Sequence, residues 1–169
     1  MVRNESSIAM RGCLLTAVVA ITACGQPEAP TKATPLPLAR LATESRAFMI
    51  FSGYPEATTR VVRDRDAWQS AWNEIHRNLM PVPPLPDVDF SAEMIVLAAM
   101  GTRPSSGYDI VLTGASETNA VVTVEAEARS PGPKCVTLTV LTSPLDVARI
   151  PKRPASVVFH TTSITVLCP

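Results

Sequence analysis

Past its first forty residues the chain is dominated by the alternation of apolar and polar side chains. Over residues 120–129, Val122, Val124, Ala126 and Ala128 fall on one side of an extended chain and Thr123, Glu125, Glu127 and Arg129 on the other. That is a strand with one wet face. Residues 94–100 are apolar almost throughout, which predicts a central strand covered on both sides. Residues 136–140 and 163–166 alternate again with threonines outward, as β-branching favours. Shorter strand signals lie at 48–51, 59–62, 108–113, 145–150 and 157–160, and residues 114–119 supply a hairpin turn.

One segment follows a different period. Trp68, Ala71, Trp72, Ile75 and Leu79 recur at helical spacing, and Asp66 with Gln69 three residues on reads as a capping box. Pro81, Pro83, Pro84 and Pro86 forbid continuation, so a helix over about 67–78 is expected. Its tryptophans share the only apolar stripe, which fits core packing, though a ligand-stacking pair is the other reading. The expected fold class is α+β: a mostly antiparallel, strongly curved β-sheet (sandwich or partial barrel) covered by one amphipathic helix.

The N-terminus has a separate logic. Arg3 and Arg11 precede an apolar stretch over 13–22, the layout of a signal peptide. At about half the ~20 residues a spanning helix needs, it does not read as a transmembrane segment. It ends in Ile21-Thr22-Ala23-Cys24, a lipobox, so residues 1–23 are expected to be removed and Cys24 to carry a lipid. An ordinary cleaved signal with an incidental cysteine is the alternative. Gly25, not an acidic residue, follows, which directs the protein to the outer membrane if the cell has two. The expected location is the cell envelope, with the domain facing the periplasm or the exterior. Residues 24–43, with Pro27, Pro30, Pro35 and Pro37, read as a tether, leaving 44–169 as one domain with one core.

Charge and chemistry narrow the function. The chain carries 15 basic and 15 acidic residues; removing Arg3, Arg11 and Glu5 with the leader leaves 13 and 14. Near-neutrality argues against a nucleic-acid partner. His76 and His160 are the only histidines, and neither has metal-ligand spacing to Cys, His or Glu, so no metal or other cofactor is expected. Ser105-Ser106-Gly107 lacks the frame of a nucleophile elbow. Glu125 and Glu127 share a strand face, an available carboxylate pair that also suits ordinary solvation. No enzyme is expected. Once Cys24 is lipidated, Cys135 and Cys168 are the remaining thiols of the exported chain, which predicts a disulfide over two free buried cysteines.

Several stretches together resemble a known family. Asp66-Ala67-Trp68 with Trp72, then Val88-Asp89-Phe90 and the apolar run at 94–100, lead into Gly101-Thr102-Arg103-Pro104-Ser105-Ser106-Gly107-Tyr108. This loop is the sharpest match; Ile150-Pro151-Lys152 and residues 157–159 fit less distinctively. The chain resembles the PrcB C-terminal-like domain, named for a lipoprotein subunit of a spirochaete surface protease complex, over about residues 45–160. The resemblance implies a non-catalytic accessory domain. It offers no catalytic residues to carry over.

The loop at 102–108 reads two ways from its residues alone. Gly107 can take a positive φ that releases Tyr108 into the next strand, which makes a demanding structural turn. Arg103 and Tyr108 are also side chains that anchor interfaces, which makes a protein-binding loop. The leading expectation is a membrane-tethered binding module for an envelope or surface protein such as a protease. A protease inhibitor presenting a stiff loop is the alternative. A solute-binding lipoprotein is a third, disfavoured by few aromatics and no second lobe.

Overall fold

A computed structural model describes residues 32–41 and 50–169. The expected leader, the lipobox with Cys24 and the first part of the tether lie outside the described residues, as do two residues of the strand expected at 48–51. Phe51 makes only an isolated bridge to Ser143.

Among the described residues eight strands and one helix follow in order: β1 (Thr34–Leu36), β2 (Ala39–Arg40), β3 (Ala57–Val62), α1 (Arg65–Ile75), β4 (Glu93–Met100), β5 (Asp109–Thr118), β6 (Val121–Pro131), β7 (Leu145–Pro151) and β8 (Ser156–Val166). The protein is mostly β, and its strands form two sheets, the sandwich form of the expectation and not the partial barrel. Their orders are β1-β5-β6-β8 and β2-β7-β4-β3, neither closed into a barrel. Every pairing is antiparallel except β6 with β8.

The second sheet is the middle layer, and β4 shows why its sequence is apolar throughout. Met94, Val96, Ala98 and Met100 share a core with Ile110 and Leu112 of β5 and Val122, Val124 and Ala126 of β6. Ile95, Leu97 and Ala99 pack instead with the helix residues Trp68, Ala71, Trp72 and Ile75. Alternate residues of one strand therefore feed two cores, and no position is left for water. The polar helix residues Asp66, Gln69, Ser70 and Asn73 are exposed.

The helix starts earlier than its sequence signal. Asp64, not Asp66, is the cap, its side chain accepting the Ala67 N–H at 2.8 Å, while Asp66 sits in the first turn. Each carboxylate suits its place, since the first turn leaves bare N–H groups and a partial positive charge. The helix ends at Ile75, short of the expected 78. The prolines beyond it then wrap back: the Trp68 and Trp72 indoles donate to the carbonyls of Pro86 (3.1 Å) and Pro83 (2.8 Å). Beyond them, Asp89 accepts from the backbone and hydroxyl of Ser91, which holds its carboxyl below the usual carboxylate range.

Three further expectations change. Residues 34–41, read as tether, belong to the fold: β1 pairs with β5, β2 with β7, and Leu36 and Leu41 are buried. Pro35 is tolerated because β1 is an edge strand. The turn expected at 114–119 is the pair Asn119–Ala120, both at positive φ, because β5 absorbs Gly114 at a register shift and runs on to Thr118. The signals at 157–160 and 163–166 are one strand, β8.

The segment between β1 and β2 crosses from one sheet to the other and closes that flank. Leu36 and Leu38 cover the inter-sheet core there. Arg40 donates to the Leu112 carbonyl (2.8 Å) and pairs with Asp146 (3.3 Å), whose carboxylate also accepts the Leu112 N–H at 2.8 Å. The opposite flank lies between the edge strands β3 and β8; there the residues between β7 and β8 cross the sheets at one end, where Arg63 donates to the carbonyls of Arg153 and Ala155.

Candidate functional site

The loop between β4 and β5 is fastened on both sides. The Thr102 N–H donates to Pro55 O (2.9 Å), Arg103 and Thr142 exchange backbone hydrogen bonds at 2.7 and 3.0 Å, and the Ser106 N–H donates to Leu138 O (3.0 Å). Side chains add to this: Ser106 Oγ accepts the Leu138 N–H (2.8 Å) and the Thr142 hydroxyl donates to Ser105 O (3.0 Å). Gly101 and Gly107 have φ of +75° and +90°. A Cβ on Gly101 would lie 2.7 Å from the Ala57 backbone nitrogen, and one on Gly107 would lie 3.1 Å from Pro131 Cβ. Gly107→Val should therefore destabilise the domain by about 1–3 kcal/mol, the cost of forcing a non-glycine residue into this region. Equilibrium denaturation measures it, and a change under about 0.5 kcal/mol would mean that the loop relaxes freely.

The segment bracing this loop is not the expected strand at 136–140. Its apolar side chains face out: Val136 and Leu138 are 100% and 71% exposed, and of the run only Thr137 is half-buried, beneath Gly107. The Pro131-Gly132-Pro133 turn leads the chain off the sheet. The Cys135–Cys168 disulfide, with Cα atoms 5.0 Å apart, then holds it there, as the thiol count predicted. Leu141 is also exposed, so an apolar stripe flanks the loop.

Within the loop, Arg103 is the least satisfied side chain. One guanidinium nitrogen donates to Met100 O at 2.7 Å, the group lies 5.9 Å from the Tyr108 ring centroid, and Nε is buried with no hydrogen-bond partner. Arg103 borders a cavity of about 320 Å³ on the flank between β3 and β8. A larger cleft of about 910 Å³ is lined by Arg63, Lys152 and Arg153. Its cations are committed to the fold: Arg63 donates to the carbonyls of Arg153 and Ala155, Lys152 to that of Phe90, and Arg153 to Glu117.

The other chemistry-bearing residues stay apart. His76 caps the C-terminus of the helix and is buried, with Nδ1 2.9 Å from the Trp72 carbonyl. His160 pairs with Glu125 at 2.7 Å, and Glu127 pairs with Arg129, whose ionisation it raises by accepting its hydrogen bonds. Each carboxylate of the strand pair thus has its own side-chain partner. Among the described residues no three His, Cys, Asp or Glu side chains gather as a metal site, and no helix is long and apolar enough to cross a membrane. Neither the exposed apolar stripe nor the cavity was visible in the sequence. Only the Pro-Gly-Pro before Cys135 hinted that the strand signal at 136–140 would leave the sheet.

This is a two-sheet β domain with one packed helix and a pinned Gly-to-Tyr loop. Residues 94–151 match the PrcB C-terminal family, so the family resemblance drawn from the loop and its neighbours is borne out over that stretch. The matched residues run from β4 through the loop, β5, β6 and the disulfide-held segment to β7. The helix and β8 lie outside them. No curated protein and no solved structure matches the chain.

Proposed function

We propose that the protein is a membrane-tethered, non-catalytic binding module that serves as an accessory subunit of an envelope or surface protein such as a protease. The family match carries this reading, because the loop most open to recognition, Thr102 to Tyr108, lies inside the matched residues. Its hydrogen bonds to 138–142 make a preformed surface, and the exposed Val136, Leu138 and Leu141 extend it with apolar area. An inhibitor acting as a substrate mimic would need an extended loop free to enter a protease cleft. The internal bonds of this loop favour a docking surface instead.

Co-purification from native membranes tests the reading. A stoichiometric protein partner that is lost on Arg103→Ala, with thermal stability close to wild type, is the expected result. Recovery of the chain alone would overturn it. The tether has its own test. Cys24→Ser should abolish labelling by a palmitate analogue, because serine cannot form the thioether, and the variant should persist as precursor or leave the membrane fraction. Label retained on that variant would remove the anchor.

A further inference from the structure

The two flanks of the stacked sheets differ. The β1–β2 crossing seals one, while on the other the edges of β3 and β8 face the cavity bordered by Arg103. Met100 and Ile110 form its apolar floor, and the small Ala128 leaves the space. Thr59 of β3 and Thr161 of β8 stand on its two lips. Its volume of about 320 Å³ is at the small end of ligand pockets, about 300–1,000 Å³. That is room for one apolar side chain and the main chain beside it.

Three observations specify an occupant. No carboxylate lines the cavity, and none pairs with Arg103 among the described residues. A guanidinium with unused donors beside apolar walls is complementary to a carboxylate on an apolar group. The guanidinium spends one nitrogen on Met100 O, and its Nε, sealed from the cavity, has no partner, so no protein acceptor holds the rest of the group in place. Arg149 Nε is likewise unpartnered, but its guanidinium already pairs with Glu93 and it does not border the cavity. Finally, β8 is an 11-residue edge strand with no lysine, no proline and no register shift against β6. Among the described residues it lacks the devices by which proteins blunt exposed edges, so it is a template for an added strand.

We propose that this flank binds the C-terminal end of an extended polypeptide. The chain lies along β8, its last apolar side chain enters the cavity, and its terminal carboxylate pairs with Arg103. The proposal rests on the protein-binding reading above and names the part of the partner that is held.

The mature full-length protein can be titrated with N-acetylated pentapeptides of alanine and valine ending in Ala, Val, Leu or Phe, each as free acid and as amide, by calorimetry. At least one free acid should bind saturably and at least tenfold more tightly than its amide. Arg103→Gln should erase that difference. Thr161→Phe, which fills the cavity from an exposed position, should abolish binding with the melting temperature unchanged. Equal affinity of acid and amide, or no saturable binding by any peptide, would overturn the proposal. Octanoate binding as tightly as the best peptide would overturn the polypeptide assignment in favour of a small carboxylate. If every peptide fails while membranes still yield a stoichiometric partner, the binding-module reading stands and this site alone falls.

Discussion

Trp72→Ala should destabilise the domain by about 3–5 kcal/mol, the range for deleting a large core aromatic. Trp72 is 2% exposed and lies at the centre of the contact between α1 and the sheet of β4 and β7. Its ring centroid is 5.3 Å from that of Trp68 and 4.0 Å from that of His76, so truncation leaves a void between two rings that cannot both close it. The indole also donates to Pro83 O, and its loss strands a carbonyl that helps hold the proline segment against the helix. Trp72→Phe separates the terms, since it keeps much of the ring and removes the donor; it should cost less than the alanine variant. Urea denaturation checks both. A shift below about 1 kcal/mol for Trp72→Ala would show that the side chain is not part of the core and would reopen its use as a recognition residue.

Periodicity revealed those elements whose sides are decided by burial. The run at 94–100 was readable as a two-faced strand because it feeds one core with even-numbered residues and another with odd-numbered ones. Residues 120–129 were readable because one face of β6 meets the core and the other meets solvent. The helix was readable because its four buried residues form one stripe. The failures have equally local causes. β1 and β2 are three and two residues long, too short for any period, and Pro35 and Pro37 disguised them as tether. Alternation at 136–140 suggested a strand, but only Thr137 of that run is turned inward. The Pro-Gly-Pro turn and the disulfide decided that, and placed the valines and Leu138 outside. β8 was split because Thr161 and Thr162 interrupt its apolar positions, and nothing in a periodic pattern says whether a strand pairs parallel or antiparallel. The site divides in the same way. Glycines and a proline around Arg103 marked the loop, whereas the cavity joins Thr59 to Thr161, residues brought together only by the stacking of two sheets.

Removing the disulfide should cost nearly as much as emptying the core. The Cys135–Cys168 bridge closes a loop across a sequence separation of 33, for which chain entropy alone gives about 3–4 kcal/mol. That is a large share of the roughly 5–15 kcal/mol that stabilises a typical domain. The native geometry concentrates the effect. Residues 135–141 have no strand partner and carry exposed apolar side chains, so little burial replaces the covalent tie. At the other end, β8 is bonded to β6 on one side only, and the Val166 carbonyl accepts the Gly132 N–H as its last link to the sheet. The double variant Cys135→Ser with Cys168→Ser avoids a stray thiol and should lower stability by that amount in denaturant. Amide exchange should speed up first at 135–141 and at the end of β8, before β4 or β6 is affected. The Ser106–Leu138 bonds connect the same segment to the Arg103 loop, so loosening should reach the loop while the helix stays protected. Two freely alkylatable thiols in native, unreduced protein would refute the bridge. A stability loss under about 1 kcal/mol would show that the segment is held by its noncovalent contacts alone.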